Sequence, residues 1–221
     1  MARTYRIFSG LAALLGWLAL ALQLLLSIQL TMANGQGAWA GVWFYLGYFT
    51  ISTNVLVALA LTAAACGPRG AISRFFGRVD VQTAAAMSIA IVSAIYNVLL
   101  RQLWQPHGWQ IVADMTLHDV MPALFLLYWW LAVPKVTLRF RQVIIWQLYP
   151  AVYFAYVLVR GAINGWYPYP FLDVPTLGYL RVLIDAIAVL LVFIVVALLL
   201  VTLGRWQARR ITKDAVLPAR P

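Results

Sequence analysis

His118 is the residue from which chemistry in this sequence is most readily built. It lies in an apolar stretch, Leu117-His118-Asp119-Val120-Met121-Pro122, and an imidazole is the side chain that exchanges protons most easily near neutral pH. Asp114 stands four residues earlier, on the same face of a helix. Asp119 follows directly. Pro122 cannot donate to the carbonyl four residues before it and its ring crowds that carbonyl, so a kink with a freed carbonyl is expected at His118. A second polar group recurs at three- and four-residue spacing, Gly47, Thr50, Thr53 and Asn54. A threonine hydroxyl is a weak nucleophile that needs an adjacent base. A histidine oriented by a carboxylate supplies one in the manner of a triad. Asn97 and Arg101 share a stripe with Ala86, Ala90 and Ala94, whose small side chains let helices approach. That helix is expected to be central, with Asn97 and Arg101 facing protein. Arg181 precedes Asp185 by four residues.

Each of these residues also has a plainer reading. Threonine in an apolar helix bonds back to its own turn, asparagine joins neighbouring helices, and Arg181–Asp185 is an intrahelical pair. What sets the group apart is the cost of polar side chains in hydrocarbon, which applies because of the rest of the chain. Of 221 residues, 64% are hydrophobic and 10% charged, and the mean hydropathy is +0.87. A soluble domain carries roughly a quarter charged residues. Six apolar blocks approach the ~20 residues that span a bilayer. They run at about 7–31, 42–65, 81–101, 115–133, 142–160 and 178–203, so the fold class expected is all-α, a single polytopic membrane domain over 1–221 with six transmembrane helices. The first block exceeds the 7–15 residues of a signal-peptide core and reads as an uncleaved helix.

Lysine and arginine placement sets the orientation. With the N-terminus in the cytoplasm, thirteen of the sixteen basic residues fall on the inner side, among them Arg3, Arg69, Lys135, Arg205 and Arg220, and only Arg101, Arg160 and Arg181 on the outer. Both ends are therefore expected inside, in a cytoplasmic (inner or plasma) membrane. The net charge of +10 follows from this topology and does not point to nucleic acid. Asp114, Asp119, Asp173 and Asp185 gather on the outer side with Trp39, Trp43, Trp104, Trp109, Trp166, Tyr167 and Tyr169, an interfacial belt of which some rings can line a pocket mouth. Helix rise places Thr50 about 12 Å below the outer boundary. Thr50, Asn97, His118, Asp119, Arg160 and Asp185 share the outer half, no helix has a comparable cluster in its cytoplasmic half, and a polar cavity open outward is expected. A buried charge network joining Asp185 to one of the three outer arginines is expected with it.

Several chemistries are set aside. Lys135 and Lys213 lie at helix ends, unlike a retinal lysine. His107 sits in a loop beside Pro106, which removes a second haem ligand. His118 with two aspartates is thin support for zinc. Cys66 is the single cysteine and excludes an internal disulfide. Phosphate-loop and G-x-S-x-G motifs are absent, as is a repeat relating the two halves. Neither a metal nor a cofactor is expected.

Three segments taken together carry a resemblance: Trp43-Phe44-Tyr45-Leu46-Gly47-Tyr48-Phe49-Thr50; Leu117-His118 through Pro122; and Gly165-Trp166-Tyr167-Pro168-Tyr169-Pro170-Phe171-Leu172-Asp173. In order and helix position they resemble the androgen-induced six-helix membrane hydrolases, which cleave fatty acid esters of hydroxy fatty acids. They are similar, more closely, to a bacterial six-helix membrane family of undefined function. The resemblance implies a threonine nucleophile at Thr50 and an assisting histidine at His118, with the Tyr169–Asp173 stretch before the last helix. The interval from His118 to Pro122 is shorter than in the hydrolases, and Thr53 is a rival for the nucleophile. On this reading Asp119, Asp114 or Asp185 orients the histidine, and Asn54, Asn97 or Arg101 donates to an oxyanion. The substrate is a lipid-like ester entering from the outer leaflet, and the partners are membrane lipids. A carrier or receptor for a small amphipathic ligand, or a scaffold whose polar cluster locks helices together, remain alternatives.

Overall fold

The computed structural model describes residues 2–216, so Arg220, one of the thirteen inner-side basic residues, lies outside the described residues. No strand occurs among them. Six helices are long and apolar enough to cross a membrane: Arg3–Ala33, Phe49–Cys66, Val79–Leu103, Trp109–Ala132, Gln142–Asn164 and Val174–Arg210. In detail the chain forms α1 (Ala2–Ala33), α2 (Ala38–Leu46), α3 (Phe49–Cys66), α4 (Ala71–Phe76) and α5 (Val79–Ile95). Then come α6 (Trp109–Met115), α7 (Met121–Ala132), α8 (Gln142–Trp146), α9 (Leu148–Asn164) and α10 (Val174–Val216). Helix α10 is kinked at Gly178, whose φ is 75°.

Helix α3 lies inside the bundle, packed against α1, α5 and α7. Its small residues Ala58, Ala60 and Ala63 and those of α5, Ala85 and Ala86, are buried. In a bilayer, where lipid tails are as apolar as leucine, small residues let backbones approach and gain packing contacts that lipid does not give. The stripe Ala86, Ala90, Ala94 follows this only in part. Ala86 is fully buried and Ala94 is exposed, so the stripe rotates outward toward Asn97 and Arg101.

Three departures from regular helix shape the site. First, the expected single helix over 42–65 is broken at Gly47 and Tyr48. Gly47 is required there, because a Cβ would come within 2.6 Å of the Trp166 ring. The carbonyls left at the end of α2 are taken by side chains of α9: Tyr153 donates to Gly47 O at 2.8 Å, Tyr156 to Leu46 O at 3.3 Å and Arg160 to Trp43 O. A cation at a helix C-terminus also complements its dipole. The break puts Thr50 in the first turn of α3 rather than deep within a longer helix.

Second, α6 and α7 are one continuous rod joined by a π-helical turn, Thr116–Val120. Met121 N–H reaches back five residues to Thr116 O, and Pro122 has no N–H to offer. The carbonyl freed by the proline is therefore that of Leu117, one residue before the expected His118. Third, α5 ends in another π turn, Tyr96–Leu100, and a 3₁₀ turn, Arg101–Leu103. Such single π turns often mark functional sites, and here the two lie side by side.

The other half of the bundle is also polar. Trp129 donates to Thr83 at 3.0 Å and Tyr128 to Gln82 at 3.3 Å. The buried ammonium of Lys135 donates to the carbonyls of Trp129, Trp130 and Val133. The expected absence of a cluster on that side is thus corrected. These groups are neutral pairs and a helix cap, without an adjoining nucleophile and base.

Candidate active site

Thr50 Oγ1 lies 3.2 Å from Nε2 of His118. The other imidazole nitrogen, Nδ1, stands 2.9 Å from Asp114 O and 3.3 Å from Asp114 Oδ1. Both neighbours of Nδ1 are acceptors, so the neutral ring carries its proton there. Nε2 is then the bare acceptor facing the threonine hydroxyl. Tyr96 completes the arrangement: its hydroxyl donates to Asp114 Oδ2, and its ring stacks on the imidazole with centroids 3.9 Å apart and planes 14° apart. Thr50, Asp114 and Tyr96 are all buried.

Asn54, fully buried, ties the two helices at this point. Its amide donates to Thr50 O at 2.9 Å and to the freed Leu117 O at 3.1 Å. Both N–H groups are thereby occupied, so Asn54 positions Thr50 against His118 and has no proton left for an oxyanion. The proline-induced π turn supplies the acceptor that holds the assembly together.

The three candidate aspartates separate. Asp114 faces His118. Asp119 turns away, bound by Asn97 at 2.9 Å and by Arg101. Asn97 and Arg101 are exposed on the flank of the bundle, not facing protein as expected, and they serve Asp119 rather than the cavity. Asp185 pairs with Arg181 at 3.1 Å within its own helix. No buried network joins it to Arg101 or Arg160, and its recorded partner is that arginine, not His118. Arg160, 2% exposed, has its guanidinium over Trp43 and 2.8 Å from the Tyr156 hydroxyl, at the end of α2. Thr53 also separates from Thr50. Its hydroxyl is 3.0 Å from that of Tyr149, which donates to Ser52 at 2.9 Å. Of the two threonines, Thr50 is the one that meets the histidine.

A cavity of about 230 Å³ opens beside Thr50. Apart from Thr50, Tyr96, Tyr153 and Tyr169 its walls are apolar, drawn from α3, α5, α9, α10 and the segment before α10. His118 sits behind Thr50. Two wall residues, Leu183 and Ile187, are 51% and 52% exposed on the outer face of α10, so the cavity reaches the surface sideways between helices.

Tyr169 reaches this wall because the 165–173 segment folds back into the bundle. Leu172 packs in a buried cluster with Val157 and Val182. The Tyr169 oxygen accepts the Phe49 N–H at 3.1 Å, capping the first turn of α3. Burial pushes its phenol up to about 12, while contacts with Thr50 and Phe49 oppose the rise. Tyr96 and Tyr169 were not singled out as site residues from sequence. Tyr96 precedes Asn97 without a spacing that marks it, whereas Tyr169 stood inside a quoted motif whose proline-flanked pattern signalled a fixed turn. No family model, no curated protein and no solved structure matches the chain.

Proposed function

We propose that this chain is a membrane-embedded hydrolase of lipid-like acyl esters, with Thr50 as nucleophile and His118 as base. The reading sets it in a cytoplasmic membrane with both termini inside, an orientation that the thirteen-to-three distribution of basic residues supports. The observation that carries the reading is the chain Thr50 Oγ1, His118, Asp114, in which the tautomer of the base is set by two acceptors at Nδ1. A buried polar relay of this kind is costly in hydrocarbon. Its placement at the wall of an apolar cavity suits a substrate with a reactive polar centre and a greasy tail. The sideways opening at Leu183 and Ile187 suits entry from the lipid phase.

The geometry suits acyl transfer through Thr50. Thr50 Oγ1 attacks the ester carbonyl carbon as its proton passes to His118 Nε2, and the carbonyl π pair moves onto oxygen. On collapse the bond to the leaving alkoxide breaks, and that alkoxide takes the proton from His118. The acyl-Thr50 ester is cleaved by water, with His118 again as base, releasing a fatty acid. Asp114 stabilises the imidazolium formed in each half. Thr50 also stands in the first turn of α3, where the helix dipole favours negative charge. The resemblance to the androgen-induced hydrolases agrees with this assignment and supplies the class of ester.

A fluorophosphonate probe tests it. Covalent labelling of the purified protein, lost in Thr50→Ala and retained in Thr53→Ala, is the expected result. A protein that binds fatty acid in the cavity yet neither labels nor turns over any acyl ester is a carrier.

A further inference from the structure

We infer that the Tyr169 hydroxyl is a catalytic group, the hydrogen-bond donor that receives the oxyanion formed when Thr50 attacks. The inference rests on the hydrolase reading and supplies what that reading lacks. The side chains expected to serve as donors are occupied elsewhere: Asn54 by two carbonyls, Asn97 and Arg101 by Asp119. Tyr169 lines the cavity together with Thr50. Its oxygen takes the Phe49 N–H at 3.1 Å, one residue from Thr50 in the first turn of α3.

Three consequences follow from that position. The oxyanion oxygen and Thr50 Oγ1 are bonded to the same carbon in the tetrahedral intermediate, so a hydroxyl that lines the cavity and is anchored on the residue next to Thr50 is within reach of the oxyanion. An oxygen that accepts backbone N–H bonds at a helix N-terminus is polarised, and its own O–H becomes a stronger donor, since chained hydrogen bonds reinforce one another. The tyrosine thus carries the positive end of α3 to a point in the cavity that the backbone itself does not reach. With its phenol pushed up to about 12 by burial, the group keeps its proton through the neutral range and is ready to donate. The segment is held in place by Leu172 and by the stacked rings of Tyr169 and Phe171, 5.3 Å apart, so the donor is preorganised as electrostatic catalysis demands.

The test is Tyr169→Phe, which keeps the ring and removes the donor, assayed on a p-nitrophenyl acyl ester in detergent. Removal of one oxyanion donor lowers kcat by roughly 10²–10³-fold, and KM should stay near wild type. Affinity for an alkyl trifluoromethyl ketone, which forms the tetrahedral adduct, should fall in parallel while affinity for the free fatty acid does not. A lowered Tm with unchanged kcat would make Tyr169 a helix cap only and overturn the inference. An unaffected Tyr169→Phe beside an inactive Thr50→Ala overturns this inference and leaves the hydrolase reading standing. A wild-type protein with no turnover overturns both. If Tyr169→Phe does not fold, a fluorinated tyrosine at position 169 preserves the shape and loses its proton at lower pH. Activity should then fall at alkaline pH where the unmodified protein remains active, and an unmoved alkaline limb sinks the assignment.

Discussion

The phenol ring of Tyr96 lies flat on the imidazole of His118, and its hydroxyl holds the carboxylate that His118 faces. One side chain therefore sets both the plane of the base and the place of its orienting group. Tyr96→Phe keeps the stack and loses the bond to Asp114, whereas Tyr96→Leu loses both. Ester turnover should fall in the order wild type, Phe, Leu, with KM little altered. A leucine variant as active as the phenylalanine variant would show that the stack is idle.

Asp114→Asn should lower kcat by up to about 10⁴-fold, the scale seen when an orienting aspartate is replaced and the base takes the wrong tautomer. Asp119→Asn should cost far less, because Asp119 is bound to Arg101 and Asn97. Measuring both on the same ester decides which aspartate serves the histidine.

Thr50 and His118 should act as one unit. Either Thr50→Ala or His118→Ala should remove nearly all turnover, with the double variant hardly worse than either single one. Losses that multiply in the double variant would separate the two residues.

Asn54→Leu should destabilise the detergent-solubilised protein by roughly 1–3 kcal/mol, because the buried Leu117 carbonyl, which Pro122 cannot serve, loses its donor, while Thr50 O keeps the backbone N–H of its own helix. Arg160→Met should be similarly harmful, since it strips Trp43 O of a charged donor. Asp185→Ala should change the melting temperature little, because its partner is an exposed arginine one turn away and such pairs contribute ~1 kcal/mol or less. A collapse on Asp185→Ala with a tolerant Asn54→Leu would reverse this ranking.

Reporter fusions after Asn34, Gln105 and Gly165 should read outside, and those after Arg74 and Lys135 inside. An inside reading at Gln105 would invert the placement of the site relative to the bilayer.

The six apolar helices were legible in the sequence because hydropathy is a sum over a local window, and hydrocarbon demands it of every spanning segment. Pro122 likewise announced a local break, for it has no N–H whatever surrounds it. The break between α2 and α3 was not legible. It depends on Trp166 and Arg160 arriving from more than a hundred residues away to close on Gly47. Nor did spacing choose among three aspartates or between two threonines. Residues at 50 and 53 lie on nearly the same helix face, and only the rotation of α3 against the π turn at Thr116–Val120 aims one at His118 and the other at Tyr149. The alanine stripe would aim Asn97 and Arg101 at protein only if it stayed inward along its whole length, yet it already turns outward at Ala94 and both residues lie at the surface. Composition thus determined that the chain is a bundle of apolar helices with costly polar groups inside it. Which of those groups meet was decided by helix rotation and by a loop folded back from before α10, both set by contacts distant in sequence.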